Sequence, residues 1–303
     1  MQRKILIGPS SFAALDPAPK QKLLKADLSV IDNPFGRKLA KSELLELLPG
    51  VIGLIAGLEA LDREVLEKSD LKVVSRCGSG ISNVDLAAAE DLGIKVFCTP
   101  FGPTTAVAEL TLGALLCLLR SFPQMNEDLH RLQWNKHVGQ QLAGKTVAVI
   151  GFGRIGQRVA QLLTAFGAKV LAVDPALQGS VGEVEIIDLD MALSIADIIT
   201  LHGSGDDRLL GHREFGLMKP GIFLLNPARG SLIDESALIS ALDNGVVAGA
   251  WLDTFWEEPY KGPLTGYNQV LLSPHVGSYT AEGRLDMEME AANNLLHGLD
   301  EVV

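Results

Sequence analysis

Basic residues and cysteines are scarce in this 303-residue chain, and each shortage excludes something. Lys and Arg number 26 against 37 Asp and Glu, a formal net charge of −11. No Lys/Arg cluster exceeds two consecutive residues, so the basic surface expected of a nucleic-acid binder is missing. An anionic small ligand would have to be held by locally placed donors against that field. Only three cysteines occur, Cys77, Cys98 and Cys117, with no C-x-x-C pair. They read as small buried hydrophobes in a reducing compartment, by default the cytoplasm. No stretch approaches the ~20 apolar residues of a membrane span. The opening "MQRKILIGPSSF" has too short an apolar run for a signal peptide. Internal repeats and low-complexity segments are absent, and no metal site is expected.

What is present is an alternation of short apolar runs with longer helical patterns. Strands are expected at 4–8, 53–57, 71–78, 94–99, 145–151, 169–174, 197–203, 221–226, 248–255 and 269–274. Runs apolar on both faces, separated by helices, point to parallel sheets covered on both sides: an α/β protein of two Rossmann-like, doubly wound domains. The segment "AVAELTLGALLCLLRSF" (106–122) is apolar nearly all round and is expected to be a buried helix. It follows the turn-rich "TPFGPTT" (99–105). A second crossing near 275–282 precedes a closing helix. The expected division is therefore 1–99 plus 281–303 as one domain and 100–280 as the other, with closure about the two crossings.

In "VAVIGFGRIGQRVA" the residues Gly151, Gly153 and Gly156 have G-x-G-x-x-G spacing at a strand exit and helix entrance. Gly151 permits a tight turn, Gly153 lets a pyrophosphate approach the backbone, and Gly156 lets helix and sheet pack closely. The next strand ends in Asp174, placed to accept from an adenosine ribose and to repel a 2′-phosphate. NAD is thereby favoured over NADP.

Three further strand ends carry polar residues: Arg229 in "NPARGSLIDESAL", Asp253 and Glu258 in "WLDTFWEEP", and His275 in "LLSPHVGS". In open parallel sheets, ligands bind beyond such ends. Each has a bland alternative: Arg229 paired with Asp234, Glu258 solvated, His275 a satisfied core histidine. Together they suit hydride transfer to a 2-oxo acid. A guanidinium fork matches a carboxylate, an imidazole exchanges the proton, and a carboxylate fixes its tautomer.

These motifs resemble the D-isomer-specific 2-hydroxyacid dehydrogenase family over nearly the whole chain, and most closely its short phosphoglycerate dehydrogenase branch. "SRCGSGISNVDL", "GPTTAVAELTLG", "GKTVAVIGFGRIG", "MKPG", "NPARGSLIDESAL", "DTFWEEP" and "SPHVGS" follow in the family's order. The resemblance implies a flavodoxin-like substrate domain, an inserted NAD domain and a homodimer formed through the latter. It implies Arg229 as substrate orienter, His275 as acid/base and Glu258 as its partner. Substrate contacts fall to the amides of Ser79 and Gly80, and Arg76 is added to them for its charge. Cofactor contacts fall to Gly151, Gly153, Arg154, Ile155, Gly156, Asp174, Ala228, Asp253 and Gly277. Relatives that oxidise formate carry Gln where this chain has Glu258.

The chain also departs from the pattern. Where well-studied phosphoglycerate dehydrogenases place an Arg-Ser pair after the third strand, this one has Gly57, Leu58 and Glu59, and an acid there would repel a phosphate. Arg76, Lys136 and His137 are the basic residues nominated as substitutes. "LHGSGDDRLLG" is shorter than usual, with Ser204, Gly205 and Asp206 where the family carries Pro and Thr. Ending at Val303, the chain is not expected to carry a serine-sensing regulatory domain. Hydroxypyruvate or glyoxylate reduction stays open as an alternative, as does a non-enzymatic NAD(H)-sensing protein of the corepressor type, because a fold does not fix a function.

Overall fold

The computed structural model describes residues 3–205 and 207–302. Two compact units emerge, Met1–Thr104 with Ser278–Val303, and Thr105–Gly277. The first division falls inside the opening turn of the helix Pro103–Leu119. Proline is tolerated in a first turn, so the helix begins there instead of at Ala106.

In the first unit, strands β1 (Arg3–Ile7), β2 (Leu28–Asp32), β3 (Val51–Ala56), β4 (Val73–Arg76) and β5 (Lys95–Cys98) form one parallel sheet in the order β2-β1-β3-β4-β5. That is the flavodoxin-like order. Alternate side chains serve opposite layers. Ile5 and Ile7 pack with Ile55, Val73, Ala291 and Leu295, whereas Leu6 packs with Leu44, Leu54, Val74 and Ala88. The closing helix Ala281–Val302 lies close against this sheet because Gly298 carries no side chain. A Cβ there would meet Phe97 at 2.7 Å and Val73 at 2.8 Å. The helix also anchors the loop after β1. Buried Glu288 accepts from Ala13 N at 2.8 Å, and Arg284, paired with Glu288, donates to Ser11 O at 2.8 Å. The strand at 28–32 was not among those expected. It is an edge strand, "LSVID", only half-buried, so its apolar signal is weak.

The second unit is built on β6 (Thr146–Ile150), β7 (Lys169–Val173), β8 (Ser180–Val181), β9 (Val184–Ile186), β10 (Ile198–Leu201), β11 (Ile222–Asn226), β12 (Val247–Leu252) and β13 (Val270–Leu272). Their order is β13-β12-β11-β10-β6-β7-β9-β8. Every pairing is parallel except β8 with β9, a short edge hairpin that the apolar pattern did not reveal. The winding reverses at β6, flanked by β7 and β10, so the crevice beyond β6 and β10 is the topological switch point. Register aligns the strand ends. Ile150 lies opposite both Val173 and Leu201, Asn226 opposite Leu252, and Leu252 opposite Leu272. Residues that follow these positions therefore emerge along one edge. Helix Pro103–Leu119 covers one face, its Ala108, Leu115 and Leu119 packing with Val147, Val149, Phe223 and Trp251. It stops at Leu119, short of the expected 122, and Phe122 opens a separate, largely exposed helix, Phe122–His130.

Candidate active site

The dinucleotide fingerprint lies at the β6 exit. Gly151 has φ +91°, and a Cβ on it would come within 2.4 Å of Gly203 N. Only glycine serves both needs. A Cβ on Gly156 would sit 2.1 Å from Gly151 O, so the turn closes against the helix by contact of bare backbone. Gly153 is different: a Cβ there meets nothing within 4 Å. The space above it is open, as a cradle for a pyrophosphate needs to be. Four other helices are N-capped by an aspartate side chain, from Asp62, Asp85, Asp188 and Asp234. The helix Arg154–Ala165 has Gly153 at its N-cap and no side-chain cap, so its first-turn amides stay available to an anion. Exposed Arg154 and half-buried Ile155 head that helix.

Asp174 ends β7 with its carboxylate already oriented. Oδ2 accepts from Phe152 N at 2.8 Å and Oδ1 from Ala176 N at 3.0 Å. A carboxylate has about four acceptor positions, so two remain for a ribose. This set fits a dinucleotide.

Farther along the same edge, Asn226 is fully buried and braces the turn that carries Arg229. Its Nδ2 donates to Arg229 O at 2.7 Å, and its Oδ1 accepts from Ala228 N at 3.1 Å. Arg229 Nη1 donates to Ala228 O at 2.7 Å. The pairing of Arg229 with Asp234 does not occur. Asp234 instead accepts from Arg208 at 2.9 Å and caps the helix Glu235–Asp243. Gly230 lets this turn touch the next one, because a Cβ on it would lie 2.1 Å from the Phe255 carbonyl carbon.

That second turn carries Glu258. Its Oε2 and Oε1 lie 2.9 and 3.1 Å from His275 Nδ1, and Oε1 also accepts from Phe255 N at 3.2 Å. Burial opposes ionisation of Glu258. The His275 bond and charge, the Phe255 amide and the Arg229 charge outweigh it, and its pKa lies below the ordinary value. An ionised carboxylate only accepts, so His275 carries its proton on Nδ1 and presents Nε2 for exchange. His275 is 38% exposed, not a core histidine. Asp253, by contrast, is buried and turned toward residues 273–277.

Two residues of this unit carry no separate signal in the sequence. Asn226 reads as strand end, yet it organises the arginine turn. His202, after β10, is half-buried, with Nε2 2.8 Å from Thr200 Oγ1, and burial pushes its pKa down to about 3. It is neutral at any working pH. The nominated His137 is engaged by Asp128 at 2.9 Å. In the shortened loop, Ser204 and Gly205 are exposed, and Asp206 lies outside the described residues.

In the first unit, Gly78 has φ +143° and its amide donates to Thr99 Oγ1 at 2.6 Å. The amides of Ser79 and Gly80 take no part in any hydrogen bond among the described residues. Arg76 Nη1 folds back to donate to Cys77 O at 2.7 Å. Glu59, expected to confront a ligand, is 2% exposed and points inward, with Oε1 accepting from Gly57 N at 2.8 Å. Gly8 makes the room: a Cβ there would lie 2.1 Å from that oxygen. Burial outweighs these bonds and raises the Glu59 pKa. Of the cysteines only Cys77 is buried, its thiol pushed up to about 12 by desolvation; Cys98 and Cys117 are half-buried, and none of the three is in a disulfide. No group of three metal-ligating residues exists among the described residues, and no single helix there is long and apolar enough to cross a membrane.

A doubly wound sheet with an open glycine cradle at its switch point and an Arg, Glu and His along the same edge defines a dinucleotide-binding class of protein. Residues 112–277 match the family model described as D-isomer specific 2-hydroxyacid dehydrogenase, NAD binding domain. A D-3-phosphoglycerate dehydrogenase of Rattus norvegicus is 37% identical over 293 residues, covering 93% of this chain and 54% of its own length. A hydroxypyruvate reductase of Thermotoga maritima is 34% identical over 272 residues, covering 86% and 89%. The crystal structure of a glyoxylate reductase from Paecilomyes thermophila superposes with a TM-score of 0.88 at 26% identity, over 99% and 96% of the two chains. The chain belongs to the D-isomer-specific 2-hydroxyacid dehydrogenase family, and its cofactor is NAD(H). It spans about half the length of the phosphoglycerate dehydrogenases it matches.

Proposed function

We propose that this protein transfers a hydride between NAD(H) and C2 of a small D-2-hydroxy acid or its 2-oxo partner, in the manner of phosphoglycerate dehydrogenase. The observation that carries the reading is the His275–Glu258 pair, on the sheet edge that also bears Arg229 and the Gly153 cradle. Arg229 grips the substrate carboxylate with its planar fork and orients the adjacent carbonyl. His275 Nε2 gives the carbonyl oxygen its proton during reduction and takes it back during oxidation. Glu258 stabilises the ring whenever it is charged. When bound, the nicotinamide supplies or accepts the hydride. Within the first unit, the amides of Ser79 and Gly80, which take no part in any hydrogen bond among the described residues, support the binding of an anionic group.

A second reading, hydroxypyruvate or glyoxylate reduction, is favoured by the loop after β3. Leu58 is exposed and Glu59 is turned inward, so the residues that stand at 58 and 59 themselves offer a phosphate no positive charge. Exposed apolar residues at 132, 134 and 138 support a homodimer through the NAD-binding unit, and cysteines outside disulfides suit the cytoplasm.

NADH absorbance is expected to fall when a 2-oxo acid is added. Comparing kcat/KM for phosphohydroxypyruvate and hydroxypyruvate separates the two readings. Arg229→Lys keeps the charge but loses the fork, and kcat/KM should drop roughly 100-fold or more. Absence of turnover across phosphohydroxypyruvate, hydroxypyruvate, glyoxylate and pyruvate would overturn both.

A further inference from the structure

Glu258 sits within residues 253–262, which form neither helix nor strand between β12 and the short 3₁₀ helix Pro263–Gly266. A carboxylate on such a loop keeps a fixed geometry only if neighbouring side chains lock it. Three aromatic residues flank it in sequence, Phe255, Trp256 and Tyr260. The Phe255 and Tyr260 rings stack with centroids 4.6 Å apart and planes 17° from parallel. Trp256 tilts against Tyr260 at 6.1 Å. Backbone also closes on the tyrosine, because a Cβ on Gly262 would lie 2.4 Å from its Oη and 2.5 Å from its Cζ. The Phe255 amide donates to Glu258 Oε1 at 3.2 Å, so the stack fixes one donor to the carboxylate.

The tyrosine hydroxyl ties this loop to two other elements. Its Oη accepts from Leu264 N at 3.1 Å and donates to Glu235 Oε1. Burial first, and then the Glu235 bond, push the Tyr260 pKa up to about 12, so the phenol keeps its proton and is the donor. Leu264 is fully buried, and Glu235 opens the helix Glu235–Asp243. Beside this bond, Trp256 Nε1 donates to Ile233 O at 2.6 Å. The loop that carries Glu258 is therefore bonded twice to residues 233–235, which continue directly from the arginine turn. Packing requires only the rings. It does not require a hydroxyl with a donor on one side and an acceptor on the other.

We propose that Tyr260, through its hydroxyl bond to Glu235, is a positioning residue that sets the Glu258 carboxylate against His275. Without that bond the loop loses its tie to the helix and the carboxylate shifts from the imidazole, while Arg229 stays braced by Asn226. The proposal rests on the reading of His275 and Glu258 as the proton-exchange pair.

Tyr260→Phe, Glu235→Ala, Glu235→Gln and the double variant of Tyr260→Phe with Glu235→Ala, all in the full chain, test it. Tyr260→Phe keeps the ring and Glu235→Ala removes the acceptor, and in each kcat should fall roughly 10-fold or more, as for a reacting group displaced by up to about 1 Å. KM and NADH affinity, read by nicotinamide fluorescence, should change less than about threefold. The double variant should lose no more than either single one, because both remove the same bond. Glu235→Gln, whose amide oxygen still accepts, should keep most of kcat. The ¹⁵N-edited signal of the His275 Nδ1 proton, which needs no turnover, should be present in the parent protein and in Glu235→Gln and lost in Tyr260→Phe and Glu235→Ala. If Tyr260→Phe fails to fold, the comparison of Glu235→Ala with Glu235→Gln decides. Additive losses in the double variant would overturn the proposal, as would unchanged kcat and Nδ1 signal in folded single variants, or NADH affinity falling in step with kcat. A parent protein that turns over no 2-oxo acid, with an Nδ1 signal that still follows this pattern, would sink the functional reading and leave the brace standing.

Discussion

His202 and His275 both follow a strand of the same sheet, yet their surroundings give them opposite chemistry. His202 faces a threonine hydroxyl in a desolvated position and stays neutral, its pKa pushed down to about 3. His275 faces Glu258, whose charge its imidazole stabilises. The linkage runs through Glu258. Its folded pKa lies below the ordinary 4.5, so its contribution to stability is fully present above that value and is lost as pH falls through the lowered one. Glu258→Gln removes both the contribution and the carboxylate–imidazole pairing on which the proposed function rests. The difference in urea midpoint between wild type and variant should hold from neutral pH down to about 4.5 and vanish at more acidic pH, while kcat at neutral pH falls roughly 100-fold. A difference independent of pH would show that the pair contributes nothing through charge. That Arg229, Glu258 and His275 lie along one sheet edge was legible from their positions at strand ends. Asn226 was not, because a polar residue at a strand end looks the same whether it is solvated or buried against its own turn.

At the scale of the element, the site depends on turns that touch through glycine. Gly230 allows the arginine turn to meet the backbone at Phe255, with Trp256 Nε1 donating to Ile233 O at 2.6 Å beside it. The overlap for a Cβ is with backbone, which cannot rotate away. Gly230→Ala should therefore cost about 1–3 kcal/mol of stability and reduce kcat/KM by pushing Arg229 from Glu258. Chemical denaturation with steady-state kinetics checks both, and an unaffected enzyme would mean that the turns are not coupled. The fingerprint was readable because glycine at three fixed spacings carries meaning beyond hydrophobicity. The strand Leu28–Asp32 and the hairpin of Ser180–Val181 with Val184–Ile186 were not. Edge elements bury little, and their alternation is diluted by polar residues.

For the whole molecule, charge and apolar exposure decide how it meets others. After the helix Phe122–His130 the chain runs without regular structure through Leu132, Trp134 and Val138, which are 96, 80 and 99% exposed. Large apolar side chains left that open in an otherwise acidic protein are what the proposed homodimer would cover. The proposed homodimer predicts that light scattering reports about twice the 32.3 kDa chain mass, and that Trp134→Asp shifts it toward the monomer. A monomeric parent protein at micromolar concentration would remove the proposal.

Composition, hydrophobic period and glycine spacing determined by themselves that the chain is α/β, that it builds parallel sheets and that it binds a dinucleotide, because these depend on local pattern. Tertiary structure alone decided that Asp234 belongs to Arg208, that Glu59 is buried against Gly57, and that Asp253 grips the His275 turn. Each of those outcomes depends on which backbone amides and cations other strands bring within about 3 Å, and sequence distance carries no record of that proximity.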